Sequence, residues 1–119
     1  MRPTDPEIWE HPDSLDAIAA APESHRVLFE NDDVRVLATT ICPGETVPLH
    51  THRWPSVLYI LATGHHVRRD GEGSVISDTR VAGAPPESGT TMWLTARPPH
   101  TVENLDDSEI RLLNVELKH

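Results

Sequence analysis

Pro43-Gly44-Glu45-Thr46-Val47-Pro48-Leu49-His50-Thr51-His52 is followed three residues later by Ser56-Val57-Leu58-Tyr59-Ile60-Leu61-Ala62-Thr63-Gly64. A Pro-Gly turn, an extended run and a second apolar run closed by glycine read as two strands with a short connection. Side chains on a strand repeat every two residues, so His50 and His52 share a face and can grip one ion. By itself a His-x-His pair is equally compatible with packed or surface imidazoles.

The same strand-and-turn pattern extends in both directions. Short runs rich in β-branched residues cover 25–30, 33–41, 45–52, 56–62, 65–69, 74–80, 90–96, 100–105 and 109–117. Asn31-Asp32, Pro43-Gly44, Asp70-Gly71-Glu72-Gly73 and Asp106-Asp107 punctuate them, and 81–89 is a loop. Nine short strands predict an all-β sandwich or barrel. Period two predicts Val34, Val36, Ala38, His50, His52, Leu58, Ile60, His100, Val102, Leu113 and Val115 as inward positions. Residues 1–24 differ, with four of the eleven prolines and an Ala-rich stretch, Ser14 to Ala21. They form an N-terminal extension with one short helix, started by Asp13 or Ser14 and stopped by Pro22; residues 25–119 form the barrel.

Composition narrows the function. The chain has 119 residues, room for one ordinary domain. Leu, Ile, Val and Phe make up 28 of them, above the roughly 20% below which no core forms. Ten basic and 19 acidic residues give a net charge of -9, which repels phosphate backbones and excludes nucleic acid as the expected partner. No apolar run approaches the roughly 18 residues of a membrane span, and no signal-like segment opens the chain. Cys42, the single cysteine, cannot form an internal disulfide. The expected setting is cytoplasmic.

A third histidine, His100, opens a later strand after Pro98-Pro99 and is followed by Thr101-Val102-Glu103-Asn104. With it, the chain resembles the cupin superfamily over residues 25 to 117. Gly44, His50, His52 and Gly64 stand where the first cupin motif has Gly, His-x-His and Gly, and His100 and Asn104 match the end of the second motif. The metal-binding Glu of the first motif is missing: Ser56 or Val57 fills its place, depending on the direction of counting. Thr95 and Arg97 stand where the second motif has Pro-x-Gly. The resemblance implies a double-stranded β-helix, a jelly-roll barrel with the short helix outside it, and a homodimer. It also implies a divalent transition metal on His50, His52 and His100, Fe(II) foremost, with Zn, Ni, Mn or Cu as options. Three neutral imidazoles leave such an ion its full charge and about three open positions, as in facial-triad iron sites.

The function expected from this resemblance is a three-histidine, metal-dependent dioxygenase acting on a small anionic metabolite. Short bacterial catabolic cupins such as the β-alanine degradation protein are similar. The alternatives are a non-catalytic ligand-binding or sensor cupin and a metal-assisted isomerase or hydrolase. Tyr59 and Arg97 are the candidate pocket residues beside the metal; Arg53, Arg68 and Arg69 also lie near the motifs. Glu45 and Glu103 have odd parity relative to the histidines and point away. Trp54 and Trp93 read as core or interface, Cys42 as packing at a strand end, His65 and His66 as surface or hairpin residues, and His11, His25 and His119 as surface.

Overall fold

A computed structural model describes residues 9–119; residues 1–8 of the expected extension lie outside the described residues. Nine strands form: β1 His25–Glu30, β2 Val34–Ile41, β3 Thr46–His52, β4 Ser56–Ala62, β5 His66–Asp70, β6 Val75–Asp78, β7 Thr91–Leu94, β8 Arg97–Asn104 and β9 Ile110–Leu117. They pair antiparallel in two sheets, ordered β1-β2-β9-β4-β7 and β3-β8-β5-β6. Side chains from both sheets converge on one internal cavity. The architecture is a double-stranded β-helix. Leu37, Ile41, Val47, Val67 and Ile110 are buried between the layers.

The expected N-terminal helix is broken in two. A 3-10 turn at Asp13–Leu15 ends at Asp16, whose extended backbone (ψ 146°) interrupts the helical run. Asp16 then caps helix α1, Ala17–Ala20, by accepting from the Ile18 amide. The cap is thus Asp16 rather than Asp13 or Ser14. Ala17 and Ala21 are buried, so this segment packs closely onto the barrel, and Asp16 bridges to Thr51 of β3. Thr79 and Arg80, expected in a strand, instead begin helix α2, Thr79–Ala82, because Asp78 turns its carboxylate onto the Arg80 amide.

Two strands present the opposite face from the one read in the sequence. On β2 the buried positions are Arg35, Leu37, Thr39 and Ile41, not Val34, Val36 and Ala38. On β9 they are Ile110, Asn114 and Glu116, not Leu113 and Val115. Valine and leucine ordinarily mark the inner face, but here the inner face carries a compensated charge. Arg35 Nε donates to Glu116 Oε1 at 2.6 Å, and its Nη1 and Nη2 donate to the two oxygens of Asp16 at 2.9 Å each. A buried guanidinium is tolerated when paired in this two-sided way. The displaced apolar residues build the outer face of the sheet. The ladder pairs Phe29 with Val36, Val36 with Val115, Val115 with Val57, and Val57 with Trp93.

Candidate metal centre

His50 and His52 lie on β3, and His50 pairs directly with His100 of β8. The ladder shifts register on both sides of that pair. Three steps on β3 from Val47 to His50 face two on β8, and three on β8 from Arg97 to His100 face two on β3. Each extra residue is a bulge next to a proline, the placement expected of a residue that cannot donate to a ladder. The same dipeptide spacing recurs in both strands: Pro48-Leu49-His50 and Pro98-Pro99-His100. In each, the imidazole Nδ1 bonds the proline carbonyl two residues earlier, at 2.7 and 2.8 Å.

A fourth imidazole joins them. His25, the first residue of β1, is buried, and its Nδ1 bonds the Ala21 carbonyl at 3.0 Å. His52 Nδ1 bonds Glu116 Oε2 at 3.0 Å. All four rings therefore use Nδ1–H as a donor to a fixed acceptor, which leaves each Nε2 as a lone pair. Ligating nitrogens of His25, His50 and His52 lie within 4.8 Å of one another. The His100 ring centroid is 4.4 Å from that of His50 and 5.8 Å from that of His52. Reading His25 as a surface residue was an error. A plain β1–β2 hairpin would set His25 opposite the outward Thr40; the bulge between Val27 and Phe29 shifts it opposite the inward Thr39.

Electrostatics keep these rings neutral. Burial lowers His50 to about 4 and His100 to about 3, and also lowers His25. Burial, reinforced by Arg97, holds His52 well below its ordinary value. Metal ligation requires neutral imidazole, so the folded protein supplies it well below pH 7. Glu116 is fully buried; burial pushes its carboxyl up, opposed by Arg35. Its two oxygens each accept from one donor, Arg35 and His52. A carboxylate behind a ligand histidine fixes the ring and strengthens the opposite nitrogen as a donor to metal. Of the four imidazoles, those of His25, His50 and His52 lie close enough together to fit one divalent transition ion, and imidazole alone does not select among iron, zinc, copper and nickel.

The cavity has a volume of about 220 Å³. Its lining includes these four histidines with Thr39, Arg68, Arg97 and Asn114 among apolar side chains and, among the described residues, no carboxylate. Ser56, not Val57, occupies the inward position at the missing Glu; it is buried and bonded by Asn114, whereas Val57 is exposed. Directly across the ladder from Ser56 stands Glu116. Glu116 does not line the cavity but stands behind His52. Tyr59 is 40% exposed on the outer face and is not a lining residue, so it does not serve the cavity. Arg97 lines it, although its odd spacing from His100 argues for the opposite face; the Pro98-Pro99 bulge restores it to the inside. His66 lines the cavity, against its reading as a surface or hairpin residue, while His65 bonds Thr79. Cys42 is exposed rather than packed.

The fold and site can be set beside known proteins. A cupin domain from Bordetella pertussis Tohama I is 25% identical, covering 80% of this chain and 92% of that one, with a TM-score of 0.66. By fold, the chain is a cupin. An RmlC-like cupin with a double-stranded β-helix from Methanocaldococcus jannaschii matches at 14% identity, covering 80% and 79% of the two chains, with a TM-score of 0.57. The polyketide cyclase RemF from Streptomyces resistomycificus matches at 20% identity, 84% and 68% coverage, and a TM-score of 0.55. No family model and no curated protein matches the sequence. These likenesses carry the cupin architecture and not the finer resemblance to the β-alanine degradation protein.

Proposed function

We propose that this cupin holds a divalent transition metal, Fe(II) foremost, on His50, His52 and His100 with His25 as a further ligand. On this reading it is a dioxygenase of a small anionic metabolite. The observation that supports it is the common orientation of four buried imidazoles, each with Nδ1 engaged and Nε2 free. When bound, the ion would supply Lewis-acid and redox chemistry to a ligand and dioxygen held beside it. The chain's own residues orient the imidazoles through Pro48, Pro98, Ala21 and Glu116. The apolar wall of Leu58, Ile60 and Met92 limits water. Isomerisation or hydrolysis has less support, because among the described residues no carboxylate or tyrosine lines the cavity to move a proton.

Metal content by mass spectrometry, on protein purified without added metal, tests the reading. Near-stoichiometric iron is expected, with strong loss in His50→Ala and His100→Ala and partial loss in His25→Ala. Oxygen uptake against a panel of small carboxylates and diketones then tests catalysis. Protein that neither carries nor takes up any of iron, zinc, nickel, manganese or copper would overturn the metal reading in favour of a ligand-binding module.

A homodimer is part of the same proposal. The outer apolar ribbon ending at Phe29 and Trp93, 55% and 57% exposed, supports it as the contact face. Burying that ribbon would also cover the free edges at β1 and β7.

A further inference from the structure

The cavity carries a charge that no carboxylate among the described residues contacts. Arg97 Nε and Nη2 are buried without a hydrogen-bond partner among the described residues. Arg68 lines the same cavity and makes no ion pair there. Burial first, and Arg68 second, lowers Arg97 to about 10; burial alone lowers Arg68. Three other arginines are held by carboxylates: Arg35 by Asp16 and Glu116, Arg69 by Glu103, Arg80 by Asp78. The contrast between Arg68 and Arg69 is instructive, since adjacent strand residues face opposite ways and only the outward one finds a carboxylate. Glu116, the acid whose charge is felt at Arg97, is already held by Arg35 and His52.

Two buried, unpartnered nitrogens of Arg97 beside a half-buried Arg68, in a mostly apolar cavity, raise the free energy of the empty fold. An anion entering that space would relieve it. A carboxylate matches guanidinium geometry and can accept from both arginines. Most of the remaining lining is hydrocarbon, with Ser77 across the ladder from Arg68 and the imidazoles as its polar neighbours, and the volume lies below the roughly 300 Å³ at which drug-sized sites begin. We propose that Arg97 and Arg68 form a carboxylate-binding subsite beside the imidazoles, so that the ligand is a small organic acid whose carbon chain lies against Leu58, Ile60 and Met92. This deepens the functional reading by naming the substrate class. It rests on the cavity being the ligand site and not on the metal.

The test uses metal-free protein, so that chelation contributes nothing. Calorimetric titration with butanoate and hexanoate is compared with the neutral butanamide and hexanamide. The carboxylates should bind at least about tenfold more tightly than the amides, the loss expected for one charge-assisted contact. Arg97→Gln and Arg68→Gln should each weaken carboxylate binding about tenfold. Arg97→Gln should also raise the melting temperature of the free protein, because it removes a buried unpaired charge, whereas a structural arginine would lower it. Equal affinity for acid and amide, or unchanged carboxylate binding in both variants, would overturn the proposal; the acid–amide comparison needs no variant to fold. Carboxylate binding that survives in protein unable to load metal keeps this inference and sinks the metal reading. Metal loading without carboxylate preference does the reverse.

Discussion

Glu116 holds the Nδ1 proton of His52 on one oxygen and the Arg35 guanidinium on the other, so its charge serves both the metal centre and the fold. Glu116→Gln should therefore lower metal affinity about 10- to 100-fold, read by competition with a chelator. The same change should cost about 1–3 kcal/mol of stability in urea unfolding, because Arg35 keeps only Asp16. The imidazoles predict an acid sensitivity of the metal-free protein. Unfolded histidines take up protons near pH 6.5, whereas His50 and His100 resist until about 4 and about 3. Between these values the unfolded chain binds more protons. Stability is thus full above about pH 6.5 and falls below it, by about 1.4 kcal/mol per pH unit for each such ring. Urea midpoints that do not change between about pH 7.5 and about pH 5 would contradict this.

Among the elements, the connection after β4 depends on space rather than on backbone angle. A Cβ at Gly64 would lie 3.0 Å from Ile110 Cγ1 and 3.1 Å from Asp106 Oδ2, and Asp106 accepts from the His65 amide. Gly64→Ala should lower stability by about 1–3 kcal/mol, measured by thermal unfolding. Gly44 differs, with open space around it but a φ of 74°. Gly44→Ala should cost about 1 kcal/mol through backbone strain alone. The bulges act at the same scale. One at Pro48 and one at Pro98-Pro99 bring His50 against His100 and Arg97 into the cavity, and one near Leu28 brings in His25.

For the molecule as a whole, the outer face of the larger sheet is the surface whose burial remains to be accounted for. Val57, Tyr59, Leu61 and Trp93 are each about 40% exposed or more, a density of apolar side chains that marks interaction surfaces. Light scattering should give twice the 13.2 kDa chain mass, and Trp93→Asp should shift it toward the monomer while leaving metal content unchanged. A wild-type monomer at all concentrations would remove the dimer from the proposal. The interior carries the opposite lesson: cationic arginines and neutral imidazoles gather inside a chain of net charge -9, so the local field, not the overall charge, favours an anionic guest.

Local pattern was enough to establish the strands, their turns and the pairing of His50 with His52, because period two and turn chemistry are properties of adjacent residues. The double-stranded β-helix was expected from the resemblance that Gly44, His50, His52, Gly64, His100 and Asn104 carry, not from the pattern itself. Three features were legible only in three dimensions. The inner face of β2 and β9 followed a buried Arg35–Glu116 pair between residues 81 positions apart, against the preference of valine and leucine for the interior. His25 and Arg97 reached the cavity through bulges, each of which reverses the face of every residue beyond it. And the carboxylate behind His52 lay on another strand, since a ladder brings together residues that no spacing along the chain connects.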